Sequence, residues 1–127
     1  MSKQFFSNNF IFCKDVVDGR ENIKISTNPV KSTTTSISAL GTDIQAIGES
    51  LASKRNAKLV QAKERLTDGI LFYIFEFAIS DGTHQLLCLS VNKGKIWSLD
   101  ANSSEKRWVK REAMYRNIIG SFLPKLG

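Results

Sequence analysis

The sequence predicts an α+β domain in which one antiparallel β-sheet is covered by helices on both faces, as an α/β/α sandwich. Three apolar runs rich in β-branched and aromatic residues predict neighbouring strands over Ile70–Ile79, Gln85–Val91 and Lys95–Leu99. Turn-forming residues separate these runs, which favours tight antiparallel connections. Within Ile70–Ile79 both alternating sets of side chains are mostly apolar, so we expect this strand to be central and covered on both sides.

Three further strands complete the predicted sheet. Phe10–Cys13 and Asn22–Thr27 are short strand-like segments separated by an Asp-Gly turn pair. Lys58–Leu66 precedes the turn formers Asp68 and Gly69, which predict a hairpin into the central strand. The expected order is two strands, a helix, four strands and a second helix.

The first helix is predicted from a capping pattern. Thr42 can cap it, and Gln45 three residues later completes a capping box. Its apolar stripe, which we expect to pack on the sheet, consists of Ile44, Ile47 and Leu51.

The second helix is expected to run from Glu105 to about Phe122, with Ser104 as its cap. Its buried stripe consists of Trp108, Tyr115, Ile118, Ile119 and Phe122. Four basic residues crowd its outer first half, namely Lys106, Arg107, Lys110 and Arg111. Positive charge is unfavourable near a helix N-terminus, so the helix dipole does not explain this cluster. It is a candidate docking surface for an acidic partner, although a merely solvated face is the default interpretation.

Length and composition fit one soluble globular domain. The chain has 127 residues, of which 42% are hydrophobic, and we expect a flexible N-terminus over residues 1–9 and a single domain over 10–127. No apolar run approaches the roughly 20 residues of a membrane helix, and no signal peptide is visible. If the protein is exported or imported, its presequence is absent from this sequence.

The charge and the motif content narrow the function classes. A net charge of +6 points to acidic partners, but no Lys/Arg run or RNA-binding aromatic signature supports a nucleic acid. The sequence has one histidine, and it contains no nucleophile elbow, phosphate-binding glycine loop or zinc-protease helix. We therefore expect a non-enzymatic protein.

His84 is the residue with the most specific alternative roles. It begins a strand at the rim of the sheet, and the next strand returns the chain to that rim at Glu105. An imidazole and a carboxylate placed together could bind Zn²⁺ or Mn²⁺ with waters or a partner's ligands. Because two ligands make a weak site, we favour a His84–Glu105 hydrogen bond that fixes the helix start.

Two cysteines, Cys13 and Cys88, lie in predicted strands far apart in sequence. We favour two buried thiols that act as small apolar side chains. The alternative is a disulfide that ties the first strand to the later ones, which requires an oxidising compartment.

About the last 60 residues of the chain resemble the PsbP domain family. The resemblance lies in GxxxYxFEF at Gly69–Phe77, GTHQLLCLSVNKGKIW at Gly82–Trp97, EKRW at Glu105–Trp108 and Ser-Phe at 121–122, with a weaker likeness back to Asn22. It implies an antiparallel sheet between helices and a non-enzymatic, membrane-peripheral protein of the chloroplast thylakoid lumen. The partner it implies is a photosynthetic membrane complex: photosystem II on its oxygen-evolving side, or photosystem I or the NDH complex.

The resemblance also bears on metals and on the start of the domain. PsbP helps to retain Ca²⁺ and Cl⁻ at the manganese cluster, and its metal-associated histidine and acidic residue look similar to His84 and Glu105. The usual first strand region of the family and its long N-terminal arm have no match here, so an assembly or docking role is expected rather than direct activation of water oxidation.

Two other function classes stay open at this point. The factor that releases nucleotide from the GTPase Ran shares the fold, which would make this protein a nuclear-transport accessory. A metal-binding or redox-sensing protein could use His84 with Glu105, or Cys13 with Cys88.

Overall fold

A six-stranded sheet runs through the protein, in a computed structural model that describes residues 10–14, 21–31 and 33–122. The strands are β1 (Phe10–Lys14), β2 (Asn22–Pro29), β3 (Ala57–Thr67), β4 (Ile70–Ile79), β5 (Thr83–Asn92) and β6 (Lys95–Ser104). Their order across the sheet is β1-β2-β6-β5-β4-β3, and every neighbouring pair is antiparallel. The sheet is therefore a four-stranded meander, β3–β6, with the β1–β2 hairpin added beside β6.

Tight turns join the strands of the meander, as the sequence predicts. Asp68 and Gly69 have φ values of 52° and 77°, and Lys93 and Gly94 have φ values of 51° and 77°. Two successive residues with positive φ form the type I′ turn that matches the twist of a β-hairpin. Glycine at the second position accepts this backbone without steric cost.

Each face of the sheet carries one helix. Helix α1 (Ile44–Lys54) packs on β3 and β4, whereas α2 (Glu105–Ser121) packs on β5 and β6 from the opposite face. Alternation along β4 separates two buried clusters: Phe72 and Ile74 lie under α2, and Tyr73, Phe75 and Phe77 lie on the α1 side. The predicted sandwich and the burial of β4 on both faces are confirmed, although β4 is the strand next to the edge strand β3 and does not lie at the centre of the sheet.

Three local predictions need correction. The cap of α1 is Asp43, whose Oδ1 accepts from the Ala46 amide at 3.1 Å, and Thr42 lies one residue too early. A 3₁₀ helix that the sequence did not predict, Ile37–Leu40, lies between β2 and α1 and places Ile37 in the core. Strand β6 continues to Ser104 because β5 supplies backbone partners along its whole length.

Gly48 allows α1 to approach the sheet closely. A Cβ atom at this position would lie 2.8 Å from Leu59 Cδ2 and 3.0 Å from Phe75 Cδ1. We expect Gly48→Ala to lower the free energy of unfolding by about 1–2 kcal/mol, since overpacking exceeds the gain in helix propensity. Urea denaturation measures the change.

Gly120 in α2 is the matched control for Gly48. A Cβ there meets no described atom within 4 Å, so Gly120→Ala should stabilise the protein by up to about 1 kcal/mol. Equal stabilisation of both variants would contradict the close approach of α1 to the sheet.

Candidate functional site

A buried histidine between two carboxylates forms the main polar cluster at the rim of the sheet. His84 Nδ1 lies 2.9 and 3.0 Å from the two carboxylate oxygens of Glu105, and Nε2 lies 2.6 Å from Glu76 Oε2. His84 is 6% exposed. An imidazole ring that carries protons on both nitrogens can donate to both carboxylates at once.

The strand register explains how the cluster forms. His84 lies opposite Ala78 on β4, and Glu76 lies two residues before Ala78 on the same face of that strand. Glu105 begins α2 directly after β6, and its backbone amide donates to Gly82 O at 2.8 Å. The predicted His84–Glu105 contact at the helix start is therefore present in the structure.

Helix α2 supplies two more members of the cluster. The Trp108 ring stacks on His84 with centroids 4.0 Å apart. Arg116 donates from Nη2 to Glu76 Oε1 at 2.9 Å and from Nε to Glu112 at 2.8 Å. Burial acts to raise the pKa of Glu76, but the hydrogen bonds from Arg116 and His84 outweigh it and hold this pKa below its ordinary value. The buried Glu76 carboxylate therefore has two hydrogen-bond partners, His84 and Arg116.

These contacts bear on the predicted metal site. Both ring nitrogens of His84 are engaged by carboxylates. Among the described residues, no group of three or more His, Cys, Asp or Glu side chains is placed so that it could hold a metal ion. A metal held by His84 and Glu105 would have to replace the Nδ1 hydrogen bond. Binding of Zn²⁺, Mn²⁺ or Ca²⁺ there stays a prediction. Titrating the parent protein and the His84→Ala variant with each metal ion, and comparing their affinities, would test it.

The predicted basic patch divides into two pairs. Arg111 Nε donates to Glu21 Oε2 at 2.7 Å, and Arg107 contacts the other oxygen of the same carboxylate. Glu21 is fully buried beside the start of β2, so these two arginines hold α2 against that end of the sheet. Lys106 and Lys110 are exposed and make no ion pair with a described residue.

The structure favours a buried thiol at Cys88 over the alternative of a Cys13–Cys88 disulfide. Cys88 is a free thiol with no exposed surface, and β2 and β6 separate β1 from β5. At about 4.8 Å per strand, Cys13 and Cys88 are too far apart for the roughly 7 Å limit between bridged Cα atoms. Burial raises the pKa of the Cys88 thiol to about 12, which keeps it protonated and opposes a redox-sensing role.

Comparisons of the sequence find consistent relatives. A family model described as PsbP matches residues 2–123. CyanoP of Thermosynechococcus vestitus is 30% identical over 124 residues, which cover 85% of this chain and 67% of the relative. CyanoP of Synechocystis is 24% identical over 86% of this chain and 63% of its own length. PsbP-like protein 1, chloroplastic, of Arabidopsis thaliana is 28% identical over 86% of this chain and 50% of its own length.

Solved structures show the same fold. The solution structure of CyanoP from Synechocystis matches with a TM-score of 0.75 at 23% identity, over 94% of this chain and 76% of that one. A crystal structure of a Pseudomonas aeruginosa protein of unknown function, described as a putative regulator, matches with a TM-score of 0.67 at 9% identity. The match covers 100% of this chain and 88% of that one.

An antiparallel sheet between two helices, with a carboxylate-bound histidine at its rim, defines an α+β sandwich protein of modest size. The match over nearly the whole chain then fixes the family. This protein belongs to the PsbP family. Within the described part of the chain, no helix is long and apolar enough to cross a membrane.

Proposed function

We propose that this protein is a non-enzymatic extrinsic protein of the thylakoid lumen that binds a photosynthetic membrane complex and supports its assembly or stability. The family match over residues 2–123 is the observation that carries the proposal. The oxygen-evolving side of photosystem II is the leading partner, with photosystem I and the NDH complex as alternatives. The same match favours this function over nuclear transport.

The contact surface is the exposed ridge of α2 formed by Lys106 and Lys110. These lysines lie four residues apart and therefore on one face of the helix. Arg107 and Arg111 are held by Glu21, so they contribute to this surface less than the lysines do. An acidic lumenal surface of a membrane complex is complementary to such a ridge, and binding should weaken as salt screens the charges.

Co-sedimentation with salt-washed photosystem II membranes tests the proposal. The parent protein should bind at low ionic strength and be released at high ionic strength. We expect Lys106→Glu/Lys110→Glu to weaken binding about tenfold or more, because two attractive contacts become repulsive.

The double variant Lys31→Glu/Lys54→Glu is the matched control. Both lysines are exposed: Lys54 ends α1, and Lys31 lies beside the Gly94 turn, at the opposite end of β6 from the start of α2. The net charge therefore changes equally while the ridge is intact. Equal loss of binding in both variants would show that only net charge matters. Failure of the parent protein to sediment with any photosynthetic membrane at low salt would overturn the proposed function.

A further inference from the structure

A groove lies between α2 and β3, the strand at one edge of the sheet. Because α2 packs on β5 and β6, it leaves the β3 side of this face without a covering helix among the described elements. The groove has a volume of about 220 Å³. Its floor is formed by apolar side chains of β4, β5 and α2, namely Ile74, Leu86 and Ile119.

The walls of the groove carry positive charge. Lys63, Arg65 and the acidic Glu64 come from β3, and Arg116 comes from α2. Glu64 lies opposite Tyr73, so its side chain belongs to the α1 side of the sheet, away from the groove. The charge of Arg116 is offset by Glu76 and Glu112. Arg65 donates to Thr67 Oγ1 and to the carbonyl oxygens of Ile119 and Phe122, and neither Arg65 nor Lys63 pairs with a described carboxylate. Two cationic side chains at the groove therefore lack a charge partner in the described structure.

One wall of the groove lacks a side chain. Gly120 lines it near the end of α2, and a Cβ built there meets no described atom within 4 Å. Gly120 has no positive φ, so helix geometry does not require a glycine here. Glycine costs up to about 1 kcal/mol relative to alanine in a helix, and its effect at this position is to keep the groove wide.

We propose that this groove binds an acidic segment of a partner protein, which inserts one bulky apolar side chain and places a neighbouring carboxylate against Lys63 and Arg65. The proposal rests on the proposed function, since it assumes a protein partner, and it adds a second contact surface with its own chemistry. The apolar floor accepts the side chain, and the unpaired cations select for negative charge beside it.

Size and position favour a protein segment over a free small molecule. A cavity of 220 Å³ is below the roughly 300–1,000 Å³ of sites that enclose drug-sized ligands, but it can hold one large side chain. The groove also opens beside β3, which pairs only with β4 among the described strands. A partner segment can therefore run along this edge while its side chain enters the groove.

An NMR titration of the ¹⁵N-labelled protein tests the proposal. The probe is the peptide acetyl-Asp-Glu-Phe-Asp-Glu-amide, and the control peptide has Ser in place of Phe. We expect saturable amide shifts at Lys63, Arg65 and Gly120 with the Phe peptide and at least tenfold weaker binding of the Ser peptide. Gly120→Leu should fill the groove and abolish this response without unfolding the protein, whereas Gly120→Ala should retain most of it.

Several outcomes would contradict the proposal that the groove binds an acidic segment. These are the absence of saturable shifts, equal binding of the Phe and Ser peptides, and an unchanged response in Gly120→Leu. Shifts confined to Lys106 and Lys110 would assign the peptide to the ridge and equally reject the groove. The double variant Lys106→Glu/Lys110→Glu should retain the amide shifts at the groove. If the peptide does not bind in the groove, the proposed function of the protein is not contradicted.

Discussion

Glu21→Gln is expected to lower the free energy of unfolding by about 3 kcal/mol, measured by urea denaturation at neutral pH. Glu21 is completely buried, and its carboxylate holds Arg107 and Arg111 of α2. Glutamine at this position removes the buried negative charge that both partly buried guanidinium groups contact. The expected loss is at the lower end for a broken buried ion pair, because the arginine side chains are 28% and 23% exposed and can turn towards water.

Glu49→Gln makes the same chemical change on the exposed side of α1, where the carboxylate accepts a hydrogen bond from Gln45. We expect this control to change stability by less than about 0.5 kcal/mol. A loss for Glu21→Gln no larger than that of the control would show that the two arginines do not depend on Glu21.

Glu76→Gln should also destabilise the protein strongly, by about 2–4 kcal/mol. Glu76 accepts from both His84 and Arg116, and its side chain is 8% exposed. A glutamine offers one oxygen where the carboxylate offers two, so one buried donor loses its acceptor. Glu105→Gln is the matched control on the other side of the imidazole. Its side chain is 45% exposed, water can replace the lost contact, and we expect a loss below about 1 kcal/mol.

The stability difference between the parent protein and Glu76→Gln should depend on pH. Since the pKa of Glu76 is lowered in the folded state, ionised Glu76 stabilises the fold fully above the ordinary glutamate pKa, about 4.3. This contribution is lost as the pH falls from that value through the folded-state pKa. Denaturation curves of both proteins between neutral pH and pH 3 measure the difference, and a constant difference across that range would contradict the lowered pKa.

Local patterns in the sequence were sufficient to predict most of the sheet. Alternation in Ile70–Ile79 correctly assigned both faces of β4, because period-two patterning requires no knowledge of distant residues. The turn formers around Gly69 and Gly94 defined two hairpins for the same reason. The error in the cap of α1 was a shift of one residue between neighbouring polar side chains, Thr42 and Asp43.

The candidate site was only partly predictable because its members come from distant parts of the chain. Hairpin geometry was enough to bring His84 and Glu105 together. The roles of Trp108 and Arg116 depend on the rotation of α2 over the sheet, which the stripe of apolar residues defines only approximately. The pairing of Arg107 and Arg111 with Glu21 joins residues that are far apart in the sequence. No local sequence pattern predicts a contact at such a separation.

The order of the strands has a consequence for how the chain reaches its native state. Strands β3 to β6 are consecutive and form by local hairpin closure, whereas β2 must meet β6 across the long stretch between Pro29 and Lys95. Loop-closure entropy opposes that encounter until the meander supplies a template. The β1–β2 hairpin should therefore join late in refolding, and amides of β2 should gain protection from solvent exchange after those of β4 and β5.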